Sequence, residues 1–357
     1  MSEHLKESEF IEALKGAFPE AGLGDDAAVD PDGEGRLLAT DAVVEGVHFR
    51  RNYATLSQVI QKLVTSNVSD IYAMGGKPRS ILFTAGLPEG FNRDDMIEVV
   101  GGLRTACSFY GIGLAGGDTV SSPGGLFFNV AITGTLEGRK PLTRRGAQPG
   151  DSVVLFGKCG GSAGGLLVLD AILEADGMSS EKFPRNLPAW DQFEPLVRSL
   201  SLGSGEEEIE ALCEGHEAYW KYVLSMVKQH IVPVARPLSD VLLDGGVISA
   251  AIDVSDGIAR DIRNLCSESG VGAELEESAF VLPRSFTELF GFDRESYTEF
   301  VLSSGEEYVI LATVRGDELP EGAVPIGRVI TASEGFLIKG LDGKLRELPD
   351  IGHQHEF

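Results

Sequence analysis

The run Arg93 to Thr119, RDDMIEVVGGLRTACSFYGIGLAGGDT, decides the fold. Met96, Ile97, Val100, Leu103 and Cys107 recur at helical spacing, which predicts a helix over about 93–110 with these residues on one face. Ile112 to Ala115 is a short strand-like run, and Gly116-Gly117-Asp118-Thr119 follows it directly. Working outward, Phe10, Ile11, Leu14 and Phe18 mark a helix from Glu9. Thr55 can cap another with Leu56, Val59, Ile60, Leu63, Val64 and Val68 as its apolar positions. Strand-like runs lie at Arg36 to Asp41, Ser80 to Leu87 and Leu126 to Leu136. Helices and strands thus alternate irregularly, the pattern of an α/β (α+β) protein of mixed layers.

Gly146 to Gly150, with Pro149 inside, reads as a linker. It divides the chain into an N-terminal α/β domain, residues 1–145, and a C-terminal α/β domain, residues 146–357. The second half carries strands at Ser152 to Phe156, Ser249 to Val254, Tyr308 to Val314 and Val324 to Ile330, and a small-residue loop at Gly157 to Gly165. Residues from about 174 to 230 read as a helical insertion, with Tyr219, Trp220, Val223, Leu224 and Val227 on an amphipathic helix.

The 357 residues suffice for two such domains, and 43% apolar with 24% charged is ordinary for a soluble globular chain. Glycine, at 45 residues, is nearly double the usual share, and 55 acids against 30 bases give a formal charge of -25. That charge argues against a broad nucleic-acid surface or a polybasic membrane anchor, and it makes an anionic substrate awkward unless cations mediate. Cys107, Cys159, Cys213 and Cys266 lack zinc-site spacing and suggest no disulfide framework. The N-terminal residues are polar and acidic rather than secretory, and no apolar run approaches the ~18 residues of a membrane span. These features lead us to expect a reduced, soluble, cytoplasmic protein.

The aspartates fall beside glycine, serine or threonine at element ends. Gly24-Asp25-Asp26-Ala27 is a loop, Thr40-Asp41 closes the Arg36 strand, and Asn67-Val68-Ser69-Asp70 sits near the end of the second helix. Gly117-Asp118-Thr119 and Asp253-Val254-Ser255-Asp256-Gly257 each follow a strand. Aspartate in such places is also common turn and cap chemistry. Carboxylates converging there would repel unless hard cations neutralised them, and Mg²⁺ suits a few carboxylates plus waters and phosphate oxygens. Other nucleotide signatures fail. Gly157-Lys158-Cys159 lacks the hydroxyl of a P-loop, and Ser152 stands where its first glycine belongs. There is no His-Arg-Asp catalytic loop and no serine nucleophile elbow.

At these residues the chain resembles the thiamine-monophosphate kinases, in the superfamily of aminoimidazole ribonucleotide synthetase and selenophosphate synthetase. The matching strings are GLGDDAAV from Gly22, ATDAVVEGVHF from Ala39, NVSDIYAMGGKPR from Asn67 and YGIGLAGGDT from Tyr110. LTRRGAQPGD from Leu142, AIDVSDGIARDI from Ala251 and SGEEYVI from Ser304 complete the set, in the family's order. The resemblance implies ATP-dependent phosphorylation of thiamine monophosphate to thiamine diphosphate, with several Mg²⁺ ions and ATP as co-substrate. It also implies a homodimer formed through the N-terminal domain, and a C-terminal domain that closes over the site. Asp26, Thr40, Asp41, Asp70, Asp118, Asp253 and Asp256 match the metal positions, with Asp41, Asp70 and Asp118 at the catalytic centre. Tyr110, Gly117, Asp118, Arg144 and Ser255 match nucleotide contacts, and His48 and Glu306 match contacts to thiamine phosphate.

The departures are specific. Ala39 replaces a metal-binding hydroxyl, Val120-Ser121 removes an arginine, Glu307 replaces an aspartate, Ser304 a glycine, and His353 the aromatic expected to face the acceptor. Two other readings compete: a relative in the same superfamily acting on a different acceptor, and a non-catalytic nucleotide-binding homologue.

Overall fold

The computed structural model describes residues 7–19, 23–30, 35–175, 217–316 and 318–354. Its N-terminal part holds α1 (Glu7–Ala17), β1 (Ala28–Val29), β2 (Arg36–Val44), α2 (Leu56–Ala73), β3 (Lys77–Leu87), α3 (Arg93–Tyr110), β4 (Gly113–Ser121) and β5 (Phe127–Thr135). The five strands form one sheet in the order β1-β2-β5-β3-β4. β5 runs antiparallel to β2 and β3, whereas β4 joins β3 in parallel.

β5 alternates cleanly, with Phe128, Val130 and Ile132 buried on one face. That period-two pattern is what a sheet covered on one side requires. α2 lies against the buried face. It starts at a capping box between Thr55 and Gln58, worth about 1 kcal/mol. Leu56, Ile60, Leu63, Val64, Val68 and Ile71 along it are fully buried. Truncating Ile71 to alanine would cost about 2–5 kcal/mol.

The other half contains β6 (Ser152–Phe156), α4 (Gly161–Ala175), α5 (Glu217–Ile231), α6 (Asp240–Gly245), β7 (Ile248–Asp253), α7 (Ile258–Ser269) and β8 (Val271–Glu276). After these come α8 (Arg284–Phe290), α9 (Arg294–Ser303), β9 (Ile310–Val314), β10 (Val324–Thr331), β11 (Phe336–Lys339) and β12 (Leu345–Glu347). A seven-stranded sheet runs β12-β11-β8-β10-β6-β9-β7. β7 stands at its edge and also touches α2, so one helix meets both sheets.

Three expectations change, and one falls mostly outside the described residues. The loop expected at Gly157 to Gly165 turns into α4 at Gly161, and the small residues there let α5 lie close against it. Most of the expected insertion, residues 176–216, lies outside the described residues. On α3 the buried stripe is Val99, Leu103 and Ala106, while Met96, Ile97 and Val100 are exposed. Finally, β2 and β4 run past the points where the sequence suggested they end, so Thr40, Asp41, Gly117 and Asp118 sit within strands.

Candidate active site

α2 organises the site. Its polar residues Lys62, Thr65, Ser66, Asn67 and Ser69 are all buried, and a buried polar group must find a partner. Four of them, Lys62, Thr65, Asn67 and Ser69, reach partners outside the helix. Ser69 Oγ donates to Asp253 Oδ2 at 2.7 Å, at the end of β7. Asn67 Oδ1 accepts the backbone N–H of Asp41 at 3.2 Å, while Ser66 Oγ donates to the Leu63 carbonyl at 2.9 Å within α2 and acts to lower the pKa of the Asp41 carboxyl. Lys62 Nζ donates to Glu306 Oε2 at 2.6 Å. Thr65 Oγ1 donates to the Pro233 carbonyl at 3.1 Å and lies 2.9 Å from the Tyr110 hydroxyl.

These tethers bring Asp26, Asp41, Asp70 and Asp253 into one electrostatic group. Burial, then the charges of Asp41, Asp253 and Asp26, hold the Asp70 carboxyl well above the usual range. Asp253 is pushed up to about 8 by burial and then by Asp26, against the Ser69 hydrogen bond. Burial also raises Asp41, and Asp256 adds to it. Arg144 faces the group, its Nε 3.2 Å from Asp26 Oδ1. Asp26 Oδ2 is buried with no hydrogen-bond partner among the described residues, on a side chain only 1% exposed. Although Arg144 counters the shifts of Asp26, Asp70 and Asp253, all three stay raised. One cation does not balance four acids.

This donor set fits magnesium. Among the described residues no three His, Cys, Asp or Glu side chains gather at a single ion's ligand distance. Mg²⁺ does not need that, because it is usually held by one or two carboxylates with waters and phosphate oxygens completing the shell. The buried oxygens and the orphaned Asp26 Oδ2 supply such partial sets.

The remaining candidates spread around this group. Asp256 pairs with Arg260 Nε at 3.2 Å, and the His353 backbone N–H donates to its carbonyl at 2.9 Å. His353 therefore sits beside the acid group with an exposed side chain. Gly257, at φ +121°, allows this turn, and a Cβ there would lie 2.9 Å from the Ser303 carbonyl carbon. The Ser255 carbonyl accepts the Glu306 N–H at 2.8 Å. Glu306 and Tyr308 take left-handed φ values of 56° and 50°, which cost side chains of this kind about 1–3 kcal/mol each. His48 Nδ1 accepts the Val44 N–H at 3.1 Å and is close enough to favour the charge of Glu306.

Asp118, Gly117 and Tyr110 are not gathered with the four acids. Asp118 is exposed within β4, paired in register with Thr84, and its Oδ1 accepts the Thr119 N–H at 2.9 Å. Gly117 is fixed by packing, since a Cβ there would come within 1.8 Å of the Phe83 carbonyl oxygen. The Tyr110 hydroxyl also accepts the Ala235 N–H at 3.1 Å, so it ties α3 to the second half of the chain. Thr40, exposed on β2, lies with Asp26 and Ala39 on a cavity of about 560 Å³. Leu38, Leu82, Ala115 and Ala131 give that cavity a mostly apolar lining.

Sequence reasoning missed Lys62, Ser66, Ser69 and His230. The first three form a polar stripe at i, i+4 and i+7 on an otherwise apolar helix, a signal that was available. His230, at the end of α5, stands in the segment read as an insertion. Its Nδ1 lies 3.2 Å from Ser162 Oγ and 3.6 Å from Glu306 Oε2.

Comparison with known proteins places the chain in a family. Residues 24–136 match the family model for the N-terminal domain of AIR synthase related proteins. A thiamine-monophosphate kinase of Leptospira interrogans is 32% identical over 313 residues, spanning 86% of this chain and 82% of that protein. A solved structure of AaThiL complexed with AMPPCP and TMP superposes with a TM-score of 0.76 at 27% identity, covering 98% of this chain and 97% of that one. The thiamine monophosphate kinase of Aquifex aeolicus superposes at 0.69, also at 27% identity, over 95% and 97%. With tethered acids, a facing arginine and full-length likeness all converging, the chain belongs to the thiamine-monophosphate kinase family.

Proposed function

We propose that this protein transfers the γ-phosphoryl group of ATP to thiamine monophosphate, giving thiamine diphosphate and ADP. The observation that carries the reading is the group Asp26, Asp41, Asp70 and Asp253, whose buried charge is left unbalanced beside an orphaned carboxylate oxygen. Asp26, Asp41, Asp70 and Asp253 would hold Mg²⁺, with Thr40 and Asp256 at the edges of the same site. Bound there, Mg²⁺ would neutralise the phosphates and suppress repulsion between two anionic reactants.

The acceptor oxygen belongs to a phosphate already ionised at neutral pH, so no general base is required. What the chain must supply is orientation for a direct in-line displacement. Arg144 would lay a fixed positive charge against the nucleotide phosphates, and Ser255 and the exposed Gly117–Asp118 segment would contact the nucleotide with Tyr110 behind them. Glu306, His48 and His353 would hold the acceptor.

The open face of the N-terminal sheet exposes Leu38, Leu82 and Val120. An apolar face of this kind supports a second copy of the chain covering it, so that the working protein is a homodimer. No described helix is long and apolar enough to cross a membrane, and we place the reaction in the cytoplasm.

Incubation with ATP, Mg²⁺ and thiamine monophosphate should yield thiamine diphosphate one-for-one with ADP. Well-folded protein that forms no product refutes the proposal.

A further inference from the structure

α7 begins without a side-chain cap. Its N-cap is Gly257, and only glycine fits there, because a Cβ would lie 2.9 Å from the Ser303 carbonyl carbon and 3.0 Å from the Leu302 oxygen. The amides at the helix start still need an acceptor. Asp261, one turn on and only 1% exposed, reaches back to them. Its Oδ2 accepts the N–H of Gly257 at 3.0 Å and that of Asp256 at 3.2 Å. Burying a carboxylate is costly unless it is hydrogen-bonded, and bonds to its charge hold more tightly than bonds to a neutral cap.

The turn that Asp261 grips is a junction. Val254 follows Asp253, and its carbonyl accepts the Tyr308 N–H at 2.9 Å. The Ser255 carbonyl accepts the Glu306 N–H at 2.8 Å, and the Asp256 carbonyl accepts the His353 N–H at 2.9 Å. α7 also carries the segment that leads to His353. Arg263 donates to the Leu348 carbonyl, and a Cβ at Gly352 would come within 3.0 Å of Arg260 Cβ. Residues 254–257 thus join the end of β7, the loop before β9 and the C-terminal segment. We infer that Asp261 is a positioning residue, clamping this turn so that the acids proposed for Mg²⁺ and the segments proposed for the acceptor keep one fixed spacing. The inference rests on the function proposed above, and it gives a part in that function to a side chain too buried to touch either reactant.

Calorimetric titration measures Mg²⁺ binding in the presence of a non-hydrolysable ATP analogue, and thiamine monophosphate binding without nucleotide. Asp261→Ala frees the turn, and both ligands should bind about tenfold more weakly. Asp261→Asn keeps an oxygen for the two amides and loses the charge, so both affinities should return to within about threefold of the unmodified chain. Asp151→Ala is the control for stability alone. That carboxylate is also buried, accepting the Gln148 N–H at 3.0 Å and the Ser249 hydroxyl at 2.6 Å, but at the other end of β7 from Asp253. Its loss should lower the urea midpoint and leave both affinities unchanged. Native-state hydrogen exchange on the unmodified chain needs no variant: the amides of Asp256, Gly257, Glu306 and His353 should open together as one unit.

An Asp261→Ala protein that loses stability but keeps both affinities, as the control does, overturns the inference. So does an effect confined to one ligand, or an Asp261→Asn variant as weak as Asp261→Ala, which would assign the effect to charge. Glu306 and His353 amides that exchange independently of the turn overturn it as well. If the unmodified chain binds no thiamine monophosphate, the proposed function falls, and the inference with it.

Discussion

His230 should make the protein acid-labile in a narrow window. Its ring is buried among Lys62 from α2, Ser162 from α4, Glu306 from the loop before β9 and Tyr53 ahead of α2. Burial, then the Lys62 charge, push its pKa down to about 3, against the attraction of Glu306. The unfolded value is near 6.5, so between these limits the unfolded chain binds a proton that the folded one refuses. The contribution is therefore fully present above pH 6.5 and is lost as pH falls toward 3. At 1.36 kcal/mol per unit, it comes to about 2 kcal/mol between pH 7 and pH 5. Urea unfolding at the two pH values, on the unmodified chain and on His230→Asn, isolates this slope. The variant starts less stable, because it leaves a small void, but it should lose about 2 kcal/mol less on acidification. Equal losses in the two proteins would mean that the ring is protonated in the fold, and the account of the Lys62–Glu306–His230 cluster would fail.

Asp70→Asn removes a charge that burial and three neighbouring aspartates oppose. It should stabilise the metal-free protein by on the order of 1 kcal/mol in thermal melts while lowering turnover at least about 100-fold. Near-normal rates would refute its place in the metal site. Added Mg²⁺ at about 100 times its Kd should stabilise the unmodified chain by ~2.7 kcal/mol, and Asp70→Asn should lose most of that gain. An equal Mg²⁺ effect in both proteins would place the ion elsewhere. Leu82→Asp, on the open sheet face and half exposed, should yield a monomer by light scattering, whereas an unchanged mass would discard that face as the dimer contact.

Aspartates set among glycine, serine and threonine made the acid group legible in sequence, because such small polar neighbours mark element ends and the carboxylates report charge brought there. Their exact setting was not legible. Asp118 reads as a strand-end residue, yet β4 continues to Ser121, because a strand paired in parallel with the long β3 goes on gaining hydrogen bonds through its glycines. α3 carries two apolar stripes, and periodicity cannot say which faces the core. Val99, Leu103 and Ala106 are buried, leaving Met96, Ile97 and Val100 outside. β8, β11 and β12 were missed because Glu274, Glu276, Lys339 and Glu347 break their apolar character. The Lys62–Glu306 pair joins residues 244 apart, a contact that no local pattern records.

The same distance explains why α2 carries so much of the site. Side chains from four distant segments of sequence, two on strands and two on loops, must meet, and loops alone would place them loosely. A helix rises about 1.5 Å per residue, so Lys62 and Ser69 stand about 10 Å apart along a rigid axis. One end fixes Glu306 and the other fixes Asp253, with Asn67 holding the Asp41 backbone between them. The helix thus sets the spacing between Glu306, which we propose holds the acceptor, and the acids we propose hold Mg²⁺. Because its apolar positions are fully buried, that spacing is set by core packing and not by the loops it holds. On the function proposed above, an acidic chain would bind two phosphorylated reactants because cations would reverse the local sign, while the buried helix holds the acids and Glu306 at a fixed separation.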